Sequence, residues 1–304
     1  MILLRTVVDN VYIVKSYNPN VPDCCVYMVD TKSDDGLVLI DVGINFEPIR
    51  DIEKDGFDLK DIKHCLITHG HIDHYGACFK LKEYNKDIKF YAHELDAESI
   101  EHGITNPYVA QIYADYKYEL IKITKKVKVD NEILKFGNIE FRCIHIPGHT
   151  PGSVAYLLEL GGTRILFAGD LPGIAINYQE GNLESYQKSM KKLLNLDIDI
   201  LCEGHEDLIQ PAEKVLKFIK AYIKFNKKLN TVVLENPFDV ETLLELAEIS
   251  YELEFYESVL DFCNYVLEIE SDNERSKKLI KQAKKHNPAK IEWIKDFINR
   301  ASKA

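Results

Sequence analysis

Several features that settle a protein's class early are missing from this chain of 304 residues. No stretch approaches 18 consecutive apolar residues, so no membrane-spanning helix is expected. The seven cysteines (Cys24, Cys25, Cys65, Cys78, Cys143, Cys202 and Cys263) are odd in number, scattered and without a CxxC pair. Neither a disulfide framework nor a cysteine zinc site follows from them, and they read as buried thiols of a reducing compartment. The opening MILLRTVVDNVYIV has no basic leader, no long apolar core and no small-residue cleavage site, which makes a cytoplasmic location the expectation. GxSxG is absent, as is any Ser-His-Asp or Cys-His nucleophile pattern. A basic tract is missing too. The formal net charge is −11, and the segment from Pro211 to Ala304 holds 16 basic and 16 acidic residues, so the whole excess falls on residues 1–210. A surface that grips a phosphate backbone is normally basic, so nucleic acid is not an expected partner.

What is present in the first two thirds is an alternation of short β-rich runs and turns. Leu3–Val8 and Val11–Val14 flank an Asp-Asn turn and read as a hairpin. Cys25–Val29 and Leu37–Ile40 follow, separated by the turn-rich TKSDDG. Pro48–Lys54 reads as helical, His64–Thr68 as a strand, Ile72–Tyr84 as a helix and Ile88–Ala92 as a strand. A tyrosine-rich segment runs from about His102 to Lys122. Ile139–Ile146, Ser153–Leu158, Thr163–Ala168 and Ile198–Cys202 read as further strands, and Leu183–Leu194 has helical periodicity. After Pro211 only helical spacing remains, with a break at Asn236–Val240. The expected organisation is therefore a domain over 1–210 and a helical extension over 211–304. Within the extension, Tyr256–Asn273 resembles the second helix of a tetratricopeptide repeat, with Val259, Cys263 and Val266 at its small or apolar positions and Ala247 as the matching small residue of the first helix. One repeat is too few for a free-standing array. The extension is either a helix pair packed as structure or a surface for a partner or for self-association.

The densest chemical signal is THGHIDHYG, Thr68–Gly76. It puts His69, His71, Asp73 and His74 within six residues, between a strand and a helix. Imidazole and carboxylate donors suit zinc and similar first-row ions. In an extended loop His69 and His71 point to one side, while Asp73 and His74, at the helix start, can serve a neighbouring position. Two metals a few ångströms apart suit such a loop. The remaining donors stand at strand ends or turns: His149 in PGHTPGS, Asp170 in LFAGD and His205 in CEGH. Donors collected at strand ends from distant parts of a chain are what a site on a sheet edge requires. His64, His93, His102, His145 and His286 fit no ligand motif and read as packed or surface histidines.

The motifs HGHIDH, PGHTPGS, FAGD and EGH, in that order, resemble those of the metallo-β-lactamase superfamily, and are most similar to its glyoxalase II-like hydrolase branch. VYIV, VYMVD and LVLIDVG resemble that family's opening strands. The resemblance covers about residues 5–210. It implies an α+β fold, an αββα sandwich with the metals at one edge. It also implies two divalent ions, zinc first, with iron or manganese as other candidates. By position, His69, His71 and His149 would hold one ion and Asp73, His74 and His205 the other, with Asp170 between. Asp41, in LVLIDVG, matches a family aspartate that supports the site without ligating, and Thr150 and Ser153 are candidates for orienting the His149 loop. The tail lacks the basic and tyrosine pattern with which that branch binds glutathione.

The expected activity is hydrolysis of a small acyl substrate (a thioester, lactone or ester) by a hydroxide bridging the two metals, with Asp73 also steering protons. Tyr108, Tyr113 and Tyr116 are candidates for a wall over the substrate, since each offers a broad ring and one hydrogen-bonding tip; the alternative is that they pack as core. Other readings stay open: a persulfide dioxygenase with one iron on a 2-His-1-carboxylate face, a phosphodiesterase or nuclease of the same fold, and a scaffold whose helical tail does the work. Flavin-linked di-iron relatives usually carry a glutamate where His71 stands.

Overall fold

The computed structural model describes residues 4–16, 18, 23–103, 113–171, 181–206, 208–234, 236–288 and 294. Met1–Val215 and Leu216–Ala304 form two compact units.

The first unit holds two sheets. One has seven strands in chain order: β1 (Arg5–Val8), β2 (Val11–Lys15), β3 (Val26–Asp30), β4 (Leu37–Ile40), β5 (Ile62–Leu66), β6 (Lys89–His93) and β7 (Lys125–Val127). Pairing is antiparallel from β1 to β4 and parallel from β4 to β7. The other contains β8 (Ile133–Phe136), β9 (Ile139–His145), β10 (Val154–Leu160), β11 (Thr163–Gly169) and β12 (Ile200–Glu203), ordered β12-β11-β10-β9-β8. It is antiparallel except for the β11–β12 pair.

The period-2 rule of a strand decides what each sheet covers. In β4, Leu37 and Leu39 enter one apolar cluster while Val38 and Ile40 enter another; in β3, Val26 and Met28 part from Tyr27 and Val29 in the same way. The second cluster lies between the sheets, where these residues meet Phe136, Phe141, Tyr156 and Phe167 of the smaller sheet. The first lies on the other face of the large sheet, under the helices α1 (Glu47–Arg50), α2 (Ile72–Tyr75), α3 (Cys78–Tyr84) and α4 (Glu94–His102). Strands buried on both faces read as continuous apolar runs, as LVLI does. Each such Leu, Ile or Phe contributes roughly 1.5–3 kcal/mol by burial. A fifth helix, α5 (Leu183–Leu193), starts from an Asn182 cap and buries Tyr186, Met190 and Leu193. The result is the expected α+β sandwich, followed by helices.

The structure departs from the sequence reading in places. The helix expected over Ile72–Tyr84 is two, broken where the Ala77 amide donates to Gly43 O instead of continuing the helical ladder. The helix expected over Pro48–Lys54 is the single turn of α1 followed by a tighter 3₁₀ turn, which ends at Gly56 with φ +89°. α4, β7 and β8 were not anticipated.

The second unit takes in most of α6 (Ala212–Leu234), then α7 (Val240–Glu252), α8 (Tyr256–Ile269) and α9 (Glu274–Ala283). The repeat-like positions Ala247, Val259, Cys263 and Val266 are fully buried, as are Leu243, Leu246 and Phe262. Among the described residues no helix is long and apolar enough to cross a membrane.

Candidate metal centre

The site is built from ends of strands. The chain leaves β5 through Thr68, passes His69, Gly70 and His71, and enters α2, which carries Asp73 and His74. His149 lies in the turn between β9 and β10, Asp170 directly after β11 and His205 just after β12. β11 and β12 are parallel neighbours, so their carboxyl ends deliver Asp170 and His205 to one edge. Gly169, at φ +59°, makes the sharp exit possible; a side chain there would run into Thr68.

The seven donors come together as two groups that share a boundary. His69, His71, His149 and Asp170 can converge on one point, and Asp73, His74 and His205 on another. His149 Nε2 is 2.9 Å from His71 Nδ1. Asp170 Oδ2 lies 3.4 Å from His149 Nε2 and 3.9 Å from His69 Nε2. Its other oxygen, Oδ1, is 3.1 Å from His74 Nε2 and 3.4 Å from His205 Nε2. Asp73 Oδ2 is 3.2 Å from His205 Nε2. His69, Asp73 and His74 are buried, whereas the His205 side chain is 29% exposed, so the edge opens to solvent on that side.

The charge states differ between the two groups. Burial opposes protonation of His74 and His205, but the anionic groups around them raise both well above the usual histidine range, so these rings hold protons that a cation would displace. Burial, then the neighbouring His74, hold the His69 pKa well below the usual histidine range, and burial takes His149 down to about 3. Both rings are neutral at neutral pH, with lone pairs to offer. Burial opposes ionisation of Asp73 and Asp170, but the imidazoles of His74 and His205 hold both carboxyls below their ordinary range. His69 Nε2, His74 Nε2 and Asp170 Oδ1 are buried without a well-directed hydrogen bond among the described residues, although the last two stand 3.1 Å apart as an ion pair. Orphaned polar atoms of this kind are costly unless something binds them, and three aimed into one cluster of nitrogen and oxygen donors fit metal ions.

Asp41 lies behind His74. It accepts from Thr68 N, Thr68 Oγ1 and His74 Nδ1, each at 2.8 Å. With Nδ1 so engaged, Nε2 is the His74 nitrogen turned toward Asp170. Thr150 and Ser153 knit the turn that carries His149: their hydroxyls are 2.8 Å apart, and the Thr150 amide donates to Ser153 Oγ. Of the three tyrosines, Tyr108 lies outside the described residues. Tyr113 is buried, and burial, then the nearby Asp73 carboxylate, hold its hydroxyl well above the usual tyrosine range. Tyr116 packs edge-on to Tyr113, 6.0 Å between centroids, and is 36% exposed.

Two site carboxylates were missed in the sequence. Asp96, on α4, accepts from Gly70 N, Gly152 N and the Thr150 hydroxyl. Glu203 accepts from the amides of Leu171 and His205. Burial raises both acids, Glu203 to about 7. Asp96 belongs to no motif, and its only trace is the pair of glycines, Gly70 and Gly152, that let it approach; Glu203 stands inside the EGH motif, of which only the histidine was read as a donor.

A family model described as "Metallo-beta-lactamase superfamily" matches residues 21–205. Among curated proteins the chain is 34% identical to an uncharacterized protein of Aquifex aeolicus, over 60% of this chain and 84% of that one. It is 29% identical to hydroxyacylglutathione hydrolase GloC of Haemophilus influenzae, over 48% of this chain and 69% of that one. It is 28% identical to the hydroxyacylglutathione hydrolase of Buchnera aphidicola, over 62% of this chain and 66% of that one. Among solved structures it is similar in fold to BJP-1, a subclass B3 metallo-beta-lactamase of Bradyrhizobium japonicum. There the TM-score is 0.62 at 22% identity, over 75% of this chain and 94% of that one.

Proposed function

The chain belongs to the metallo-beta-lactamase superfamily and is a metal-dependent hydrolase, and from that premise we propose a centre of two divalent ions, zinc first, acting on a small acyl substrate. The observation that carries the reading is the Asp170 carboxylate, with one oxygen toward His69 and His149 and the other toward His74 and His205. In this reading His69, His71 and His149 hold one ion, Asp73, His74 and His205 the other, and Asp170 is shared. When bound, the ions bring the pKa of water from about 16 toward 7 and draw electron density from a carbonyl group.

The chain's own side chains orient and move protons. Asp41 fixes the tautomer of His74 through Nδ1, the usual means of aiming a ligating imidazole. Asp73, whose carboxylate meets His205 and lies near enough to Tyr113 to act on its hydroxyl by charge, is the group placed to take up a proton and return it to a leaving group. The buried Tyr113 ring excludes water on that side, and the half-open His205 side admits the substrate. A thioester comes first because two relatives are hydroxyacylglutathione hydrolases by name, with lactones and esters next. The commitment is to the acyl carbon, since the helical tail lacks the basic and tyrosine pattern that marks glutathione recognition in the glyoxalase II-like branch. The excess of negative charge over residues 1–210 speaks against a phosphodiester polymer.

The test is a panel of acyl thioesters, lactones, carboxylic esters and phosphodiesters, with protein purified without added metal. Acyl hydrolysis that is abolished by a chelator and restored by zinc is the expected result. A single iron with oxygen consumption on a persulfide, or turnover of phosphodiesters alone, overturns the reading.

A further inference from the structure

Two buried carboxylates stand behind the histidine cluster and outside both groups of converging donors. Asp96 lies in the first turn of α4 and is 3% exposed. Its Oδ2 accepts the Gly70 amide at 2.9 Å and the Thr150 hydroxyl at 2.6 Å, and its Oδ1 accepts the Gly152 amide at 2.7 Å. Gly70 sits between His69 and His71, and Thr150 directly follows His149. A Cβ at Gly152 would come 2.5 Å from Asp96 Cγ, and one at Gly70 3.3 Å from Asp96 Cβ, so the carboxylate reaches both loops only because glycine leaves room. Glu203 is fully buried. Its Oε1 accepts the Leu171 amide at 3.1 Å and its Oε2 the His205 amide at 2.6 Å; Leu171 directly follows Asp170.

Each carboxylate thus ties together two stretches that are distant in sequence. Among the described residues the Asp96 carboxylate accepts hydrogen bonds only from the loops of His69, His71 and His149, inside one donor group. The Glu203 carboxylate accepts only from the amides beside Asp170 and at His205, and so joins the shared Asp170 to the other group. A buried carboxyl with both oxygens taken by groups from two loops holds those loops at a fixed spacing, because letting go leaves buried polar groups unpaired. Metal affinity is sensitive to such spacing because donors must meet at about 2 Å from the ion.

We propose that Asp96 and Glu203 are positioning residues with different reach: Asp96 sets one half of the centre by spacing the His69–His71 loop against the His149 turn, and Glu203 sets the shared Asp170 against His205 and so acts on both ions. The proposal rests on the two-ion reading above.

The experiment is zinc titration against a chromophoric chelator, on wild type, Asp96→Ala and Glu203→Gln, each alone and in a His149→Ala background. Asp96→Ala weakens one ion by roughly 10–100-fold, the usual cost of losing a residue that orients metal ligands, and spares the other. Glu203→Gln weakens both, because the Asp170 it positions is shared. In the His149→Ala background, where the first group is already broken, Asp96→Ala costs nothing further while Glu203→Gln still weakens the remaining ion. A readout without metal accompanies it. In the metal-free protein Asp96→Asn, which keeps the shape of the side chain, speeds amide hydrogen exchange at Gly70 and Gly152 and leaves Leu171 and His205 unchanged. Should Asp96→Ala fail to fold, Asp96→Asn replaces it in the titration. Equal weakening of both ions by Asp96→Ala, weakening of a single ion by Glu203→Gln, or a loss of melting temperature with both affinities intact, overturns the proposal while the two-ion reading stands. A wild type that binds a single ion overturns the two-ion reading, and this proposal with it.

Discussion

At the scale of single residues, the centre works by putting donors where water cannot satisfy them and then holding their rings. Asp41 shows the second part. Removing it leaves His74 Nδ1 and the Thr68 amide without their acceptor in a buried place, at about 1–3 kcal/mol for each unsatisfied group. Asp41→Ala is therefore expected to lower both melting temperature and zinc affinity. Away from the site, His64 offers a cleaner test of electrostatics. It stacks on Phe136 at 4.3 Å and meets the Tyr91 hydroxyl at 3.0 Å, and burial lowers its pKa to about 4. An unfolded histidine titrates near 6.5, so between these values the unfolded chain binds the extra proton. Stability from this group is complete above pH 6.5 and is lost as the pH falls toward 4. His64→Phe removes the titration but keeps a ring, so wild type should lose melting temperature relative to the variant over that interval. Parallel pH profiles for the two proteins would show that His64 carries no such penalty. The seven motif donors were legible in the sequence because metal chemistry restricts residue type and puts several in one loop. Asp96 and Glu203 were not, since they act on backbone amides, and any residue type supplies an amide.

At the scale of elements, the long apolar strands were legible and the short ones were not. LVLI and ILFAG have the continuous burial of strands covered on both faces. β7, with only Val127 buried, and β8, buried at alternate positions over four residues, carry too few residues for a period to stand out. The break between α2 and α3 is likewise set by a partner distant in sequence, the Gly43 carbonyl. For the tyrosine segment, core and wall were the two sequence readings. Tyr113 joins the apolar cluster under the helices, yet its hydroxyl feels the charge of Asp73. Tyr113→Phe keeps the packing and removes the one polar atom of the ring near that carboxylate. The expected outcome is a fall in kcat/KM of about tenfold with metal content and melting temperature unchanged. Tyr116→Ala, at an exposed position, is expected to change kcat/KM less. Wild-type kinetics in Tyr113→Phe would leave Tyr113 as core alone.

At the scale of the whole molecule, the seven donors all precede Val215, where the first compact unit ends, and the repeat-like helices carry none of them. A chain cut after Gln210 should therefore keep its full complement of metal, whatever it loses in solubility. The acidic excess lies on the same side of that cut as the site, where bound cations offset part of it. The central claim, that Asp170 joins two ion positions, has one direct measurement: metal content per chain by elemental analysis, for protein purified without added metal, in wild type, His205→Ala and Asp170→Ala. The account predicts about two ions in wild type, about one in His205→Ala, and fewer in Asp170→Ala than in His205→Ala, because both positions lose a donor. Unchanged stoichiometry in Asp170→Ala, or a single ion in wild type, would contradict it.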